Sequence, residues 1–187
     1  MFPSWRRGLE STDTRRAESA PPGRLVTAVA LESSDGKATT TRTTFRLAVA
    51  VTRSIAAPST TVWNLLTDLD AQSKWNSTLT SIEGKIALGE RVSFRVPEAP
   101  GQKFAPRVVR LDEPRSMVWR LNRWPLLVSE RTYRLTPGQR GSTEVTIDEV
   151  FRGLVLPLII KSLPDFGAMF ERTTEDLKAA AEAASPQ

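Results

Sequence analysis

Residues 45–68 read FRLAVAVTRSIAAPSTTVWNLLTD, and the periodicity changes halfway along. Phe45, Leu47, Val49 and Val51 alternate with Arg46, Ala48, Ala50 and Thr52, which predicts a half-buried strand ending near Ile55. Pro58 suits the first turn of a helix, and Val62, Leu65, Leu66 and Leu69 then recur at helical spacing. A strand therefore runs directly into a short helix with one apolar face. Past Asp68 a second short helical or irregular piece ends at Trp75-Asn76, which puts one of five tryptophans into a polar connection.

Downstream the pattern turns to strands, predicted at 79–84, 91–96, 104–111, 117–121, 128–135 and 143–151. Turn signals separate them: Gly89, APGQ at 99–102, DEPR at 112–115 and TPGQRGS at 136–142. From about 158 to 184 the spacing of Phe166, Met169 or Phe170, Thr173 and Leu177 predicts a long amphipathic helix, kinked or broken at Pro164. The expected fold is α+β: a curved antiparallel sheet of about seven strands, two short helices after the first strand, and a long C-terminal helix over the concave face. A sheet and helix arranged in this way often leave a pocket that their own side chains do not fill.

The segment before this domain reads differently. Residues 1–43 are rich in Ser, Thr, Arg, Pro and Gly, and are expected to be a disordered extension, with the domain proper at 44–187. LVTAVAL at 25–31 is the exception, a short strand candidate. A transit peptide fits poorly, because Glu10, Asp13 and Glu18 sit among the arginines.

The composition excludes much chemistry. The 187 residues include no cysteine and no histidine, which removes disulfides, thiolate and imidazole metal sites, a Cys nucleophile and a Ser-His-Asp triad. No metal or cofactor is expected. The net charge of +5 is spread along the chain. Arg91, Arg95 and Arg120 fall on the parity opposite to the apolar residues and have no interleaved aromatics, so no specific nucleic-acid surface is expected. The longest apolar run, LVLPLII at 154–160, is far short of the roughly 20 residues that cross a bilayer. With no apolar signal-peptide core at the N-terminus, a cytoplasmic location is expected.

Several stretches, taken in order, resemble the helix-grip superfamily of START-like, Bet v 1-like and polyketide cyclase/dehydrase proteins (SRPBCC), in its bacterial cyclase/dehydrase-like branch. They are IAAPSTTVWNLLTD (55–68), KWN (74–76), SIEGKIALGERV (81–92), FAPRVVRLDEPRSMVW (104–119), ERTYRL (130–135), GSTEVTIDEVFRG (141–153) and FERTTEDLK (170–178). The resemblance spans about 45–183 and implies a cavity-bearing fold shared by lipid carriers, hormone receptors and aromatic-polyketide cyclases. Related bacterial sequences often carry a histidine near the position of Arg131, so a histidine's proton-transfer role does not carry over.

Strand parity, independently of the resemblance, selects the cavity lining. Val145 and Ile147 face inward, so Glu149 and Phe151 share that face; Tyr133 and Leu135 put Arg131 inward. Met117, Trp119 and Leu121 form the inner face of one strand, and Val92, Phe94 and Val96 that of another. Arg131 and Glu149 are expected to neutralise one another near the cavity rim, because a buried charge is costly unless it is paired. Trp75 is expected at the cavity mouth, its indole covering apolar core while Asn76 hydrogen-bonds the loop backbone, or else forming part of the entrance wall opposite Phe166 and Phe170. The candidate ligand-binding set is Trp75, Phe94, Phe104, Trp119, Arg131, Tyr133, Glu149, Phe151, Phe166 and Phe170, with no catalytic set.

Three functions follow from these residues. The leading one is binding of a small hydrophobic ligand, a lipid, polyketide or aromatic metabolite, without turnover. The second is a cyclase/dehydrase-type enzyme in which Arg131, Tyr133 and Glu149 polarise a carbonyl and move a proton. The third is an interaction domain with a vestigial cavity, whose WPLL (124–127) and LVLPLII segments contact a protein or the periphery of a membrane. The oligomeric state is left open.

Overall fold

The alternation at the head of the domain forms the strand it predicts, and the rest of the sheet assembles around it in a computed structural model that describes residues 35–185. In chain order the elements are β1 Thr39–Thr43, β2 Arg46–Ile55, α1 Ser59–Thr67, α2 Leu69–Trp75, β3 Ser81–Gly84, β4 Val92–Arg95, β5 Arg107–Asp112, β6 Ser116–Arg123, β7 Leu127–Pro137, β8 Thr143–Arg152, α3 Leu156–Ile159 and α4 Phe166–Ala183. The main sheet runs β1-β2-β8-β7-β6-β5, antiparallel throughout. The last four strands form a meander, and β8 closes onto β2. The β3–β4 ribbon extends this sheet past β5 through bridges at Arg91–Arg107 and Phe94–Phe104.

Period-two burial is strict on the long central strands. Leu47, Val49 and Val51 of β2, and Thr143, Val145, Ile147, Glu149 and Phe151 of β8, are buried on one face. Helix α4 lies across that face, packed mainly on β2, and buries Phe166, Met169, Phe170, Thr173, Leu177 and Ala181 at spacings of three and four. In α1 the inward side chains are Val62, Trp63 and Leu66. Asp68 ends α1 and caps α2, its carboxylate accepting from the Asp70 and Ala71 amides at 3.0 Å each.

Two expectations change in detail. The break expected at Pro164 is present, but α3 and a 3-10 turn at Ile160–Ser162 stand before it as separate pieces, so the long helix starts at Phe166 instead of about 158. Pro164 lacks the amide that would continue the helix and holds Leu163 extended, while Asp165 caps the new start by accepting from Ala168 N at 3.1 Å.

The second change is at the domain boundary, since the described residues contain eight strands instead of about seven. The added one is β1, inside the segment expected to be disordered to residue 43. An edge strand buries little, so TTTRT carries no apolar alternation, yet its β-branched threonines suit an extended chain. Side-chain contacts hold the approach to β1 in place: Ala38 N donates to Glu171 Oε1 at 2.8 Å, and Lys37 pairs with the same carboxylate at 3.3 Å. Residues 1–34, including the strand candidate at 25–31, lie outside the described residues.

Glu171 generates a test. The Ala38 amide first, and then Lys37, hold its carboxyl below the usual carboxylate range. With the folded pKa depressed, its contribution is complete above the ordinary carboxylate pKa and is lost as pH falls through the depressed one. At neutral pH, Glu171→Gln should speed amide hydrogen exchange at Ala38 and along β1 while β7 and β8 stay protected. Unchanged exchange at β1 would show that the strand is held by its pairing with β2 alone.

Candidate functional site

The site begins with a register. Arg131 on β7 lies directly opposite Glu149 on β8 and, on its other side, opposite Trp119 on β6. All three point to the concave face, so a cation and an anion meet inside the core. Arg131 donates to Glu149 Oε2 through Nε at 2.8 Å and through Nη2 at 2.7 Å, and the two side chains are 11% and 6% exposed. Both donors use one oxygen, so among the described residues Glu149 Oε1 takes no protein hydrogen bond.

Aromatic rings surround this pair. The guanidinium carbon sits 5.5 Å from the Phe94 ring centre and 4.8 Å from that of Phe170, a cation–π arrangement that helps offset lost hydration. Phe94 stacks on Phe104 at 5.5 Å, Trp119 packs on Tyr133 at 5.1 Å, and Phe151 meets Phe166 at 4.7 Å. Burial alone would lower the Arg131 pKa, but Glu149 and Tyr133 more than offset it, and the group stays charged. Burial raises the Tyr133 phenol against the opposing pull of Arg131, which keeps it a neutral hydrogen-bonding group.

The enclosed space has two compartments. A cavity of about 300 Å³ opens between the loop around 102–106, the ends of β6 and β7, and the chain leading into α4. Its inner wall contains Phe94, Trp119, Arg131 and Met169. Those same four residues border a second void of about 10 Å³ on the far side, together with Gln72, Asn76, Thr78, Tyr133 and Phe170. The second void has room for about one water. Arg131 therefore stands in a partition.

Of the ten residues singled out from sequence, seven line the larger cavity: Phe94, Phe104, Trp119, Arg131, Glu149, Phe151 and Phe166. Tyr133 and Phe170 border only the small void. Trp75 borders neither, which corrects its placement in the entrance wall. Its indole donates to Leu65 O at 3.2 Å and ties α2 to α1. Asn76, its neighbour, closes the blind end: its side-chain oxygen accepts from Thr78 N at 3.1 Å and Thr78 Oγ1 at 2.6 Å, and Thr78 reaches Thr173 on α4 at 3.0 Å. The ion pair is likewise at the inner wall instead of the rim.

Sequence reasoning missed other lining residues. Ser129 shares the parity of Arg131 and could have been found that way. Gln102 and Lys103 come from a loop with no period, and Arg91, expected on the outer face, borders the cavity and donates to Ala105 O at 3.1 Å. The bordering cations Arg91, Lys103 and Arg123 make the opening basic.

One atom in this wall is chemically incomplete. Trp119 is 3% exposed, and its indole N–H is the single buried side-chain polar atom without a hydrogen-bond partner among the described residues. An unmet buried donor of this kind costs about 1–3 kcal/mol.

The family profile described as polyketide cyclase / dehydrase and lipid transport matches residues 46–182. No curated protein matches the chain. Solved structures share its architecture. A START superfamily protein from Mycobacterium smegmatis is 20% identical, with a TM-score of 0.58 over 74% of this chain and 99% of that one. A protein from Rhodobacter sphaeroides is 17% identical, with a TM-score of 0.57 over 80% and 100%. A norcoclaurine synthase mutant from Thalictrum flavum, solved with a transition-state analogue, is 11% identical, with a TM-score of 0.57 over 78% and 100%. With the profile covering both walls of the cavity and the sheet and long helix matching in three dimensions, the chain belongs to the polyketide cyclase/dehydrase and lipid transport family and has the START-like helix-grip fold.

Proposed function

We propose that this domain binds a small hydrophobic molecule carrying an acceptor oxygen, with its apolar body against the phenylalanines and the oxygen at Trp119 Nε1. The unpartnered indole N–H carries this reading, because a ligand acceptor would satisfy a donor that the protein leaves unmet inside its own core. The size of the space supports it: about 300 Å³ lies at the small end of the roughly 300–1,000 Å³ that small-molecule pockets occupy, and far exceeds a packing defect. The family description, which includes lipid transport, is in keeping with a hydrophobic cargo.

Turnover is the second reading, favoured by the norcoclaurine synthase likeness and by Arg131, Tyr133 and Glu149 lying side by side. Binding is preferred because of where the two acid–base candidates stand. Glu149 already accepts two hydrogen bonds from Arg131. Tyr133 borders the small void and not the cavity.

The aromatic probe anilinonaphthalene sulfonate has an apolar body and acceptor oxygens. Titrated into folded protein, it should bind saturably at one site, and Leu121→Trp, which fills the cavity from β6, should abolish that binding. Trp119→Phe removes the donor while keeping the ring, and should weaken binding by about 5- to 100-fold with the fold intact by circular dichroism. No uptake by the folded protein, or full affinity in Trp119→Phe, would overturn the proposal.

A further inference from the structure

One corner of the molecule has the wrong surface for a freely solvated domain. Trp124 and Leu126 on the β6–β7 hairpin, and Leu154 and Leu158 beyond β8, are large apolar side chains left exposed, with Trp124 at 74% and Leu158 at 83%. Phe45, ahead of β2, is also exposed. Backbone hydrogen bonds join the three segments. Leu154 N donates to Pro125 O at 3.3 Å, Val155 N to Leu126 O at 3.2 Å, and Gly153 N to Phe45 O at 3.3 Å. Gly153 makes the approach feasible, since a Cβ there would lie 2.1 Å from the Leu126 carbonyl oxygen.

The patch is more than an unburied core edge. Leu156, in the middle of the LVLPLII run, is fully buried, so α3 is anchored to the core while Leu154 and Leu158 on either side stay outside.

The charge around the patch indicates the partner. Segments 42–46, 122–129 and 152–164 together carry Arg42, Arg46, Arg123, Arg152 and Lys161, and no aspartate or glutamate. None of these five cations forms an ion pair among the described residues. The nearest acids along the chain are engaged elsewhere, Glu130 by Arg120 and Asp165 by the α4 cap. The corner also adjoins the cavity opening, to which Arg123, Leu127, Ile159 and Leu163 contribute.

We propose that this corner docks on an anionic membrane surface, with Trp124, Leu126, Leu154 and Leu158 entering the headgroup region and the five cations facing lipid phosphates. Apolar tips ringed by cations, without acids, are what interfacial binding requires, and an indole sits well at that depth. Docked in this way, the cavity mouth lies beside the lipid. The proposal stands independently of what the cavity holds.

Cosedimentation with vesicles tests it, comparing phosphatidylcholine alone with three parts phosphatidylcholine to one part phosphatidylglycerol. The protein should bind the mixed vesicles, bind neutral ones far less, and dissociate as salt rises. Trp124→Ser with Leu158→Ser, and separately Arg152→Glu with Lys161→Glu, should each weaken binding by about tenfold or more. Arg95→Glu with Arg110→Glu alters net charge equally on another face and should leave most binding in place. Lack of binding to the mixed vesicles, or equal loss in that control pair, would overturn the proposal. So would a concentration-dependent dimer abolished by Trp124→Ser with Leu158→Ser, which would assign the corner to a second copy of the chain.

Discussion

A guanidinium and a carboxylate removed from water between neighbouring strands constrain everything around them. Each alone would be prohibitive in this core; together, in contact and flanked by aromatic faces, they are tolerable. The pairing ties the β7–β8 register to the core. A slip of one residue would set Arg131 against a different partner and turn one strand's inner set to the outer face. It also explains why the interior is divided. Arg131, with Phe94, Trp119 and Met169, forms a wall too polar to fill with apolar side chains and too crowded to hollow out, so the open cavity stops there and only a water-sized void remains behind.

The two ends of the grip consequently do different work. At the blind end, Asn76, Thr78 and Thr173 satisfy one another and fasten the α2 exit to α4, leaving little room. At the open end the walls are aromatic and the border is basic, and in the partition between the two ends Trp119 keeps one donor without a partner. That unmet donor is the physical basis for the proposed ligand position.

Much of this was legible in the sequence, for a definite reason. β7 and β8 pair over ten residues without a register shift, so strict alternation alone turns Arg131, Glu149, Tyr133 and Phe151 inward. The signal failed where periodicity fails. Trp75 ends a short helix whose packing no pattern specifies, and it turned toward α1. β1 is a polar edge strand and carries no apolar stripe. A register irregularity between Val108 and Arg110 interrupts parity in β5. The uniform LVLPLII run has no period at all, so nothing in it separates the buried Leu156 from the exposed Leu158. The unpartnered Trp119 N–H is a property of three-dimensional surroundings alone.

A double-mutant cycle on the ion pair, measured by denaturant unfolding, tests the central claim most directly. Arg131→Met and Glu149→Leu should each cost about 3–5 kcal/mol, because each leaves one buried charge without its partner. The doubly substituted protein should recover most of that loss, giving a coupling of several kcal/mol between the positions. Small and additive costs would mean that the two groups are hydrated and independent, and the partition on which the cavity depends would not exist.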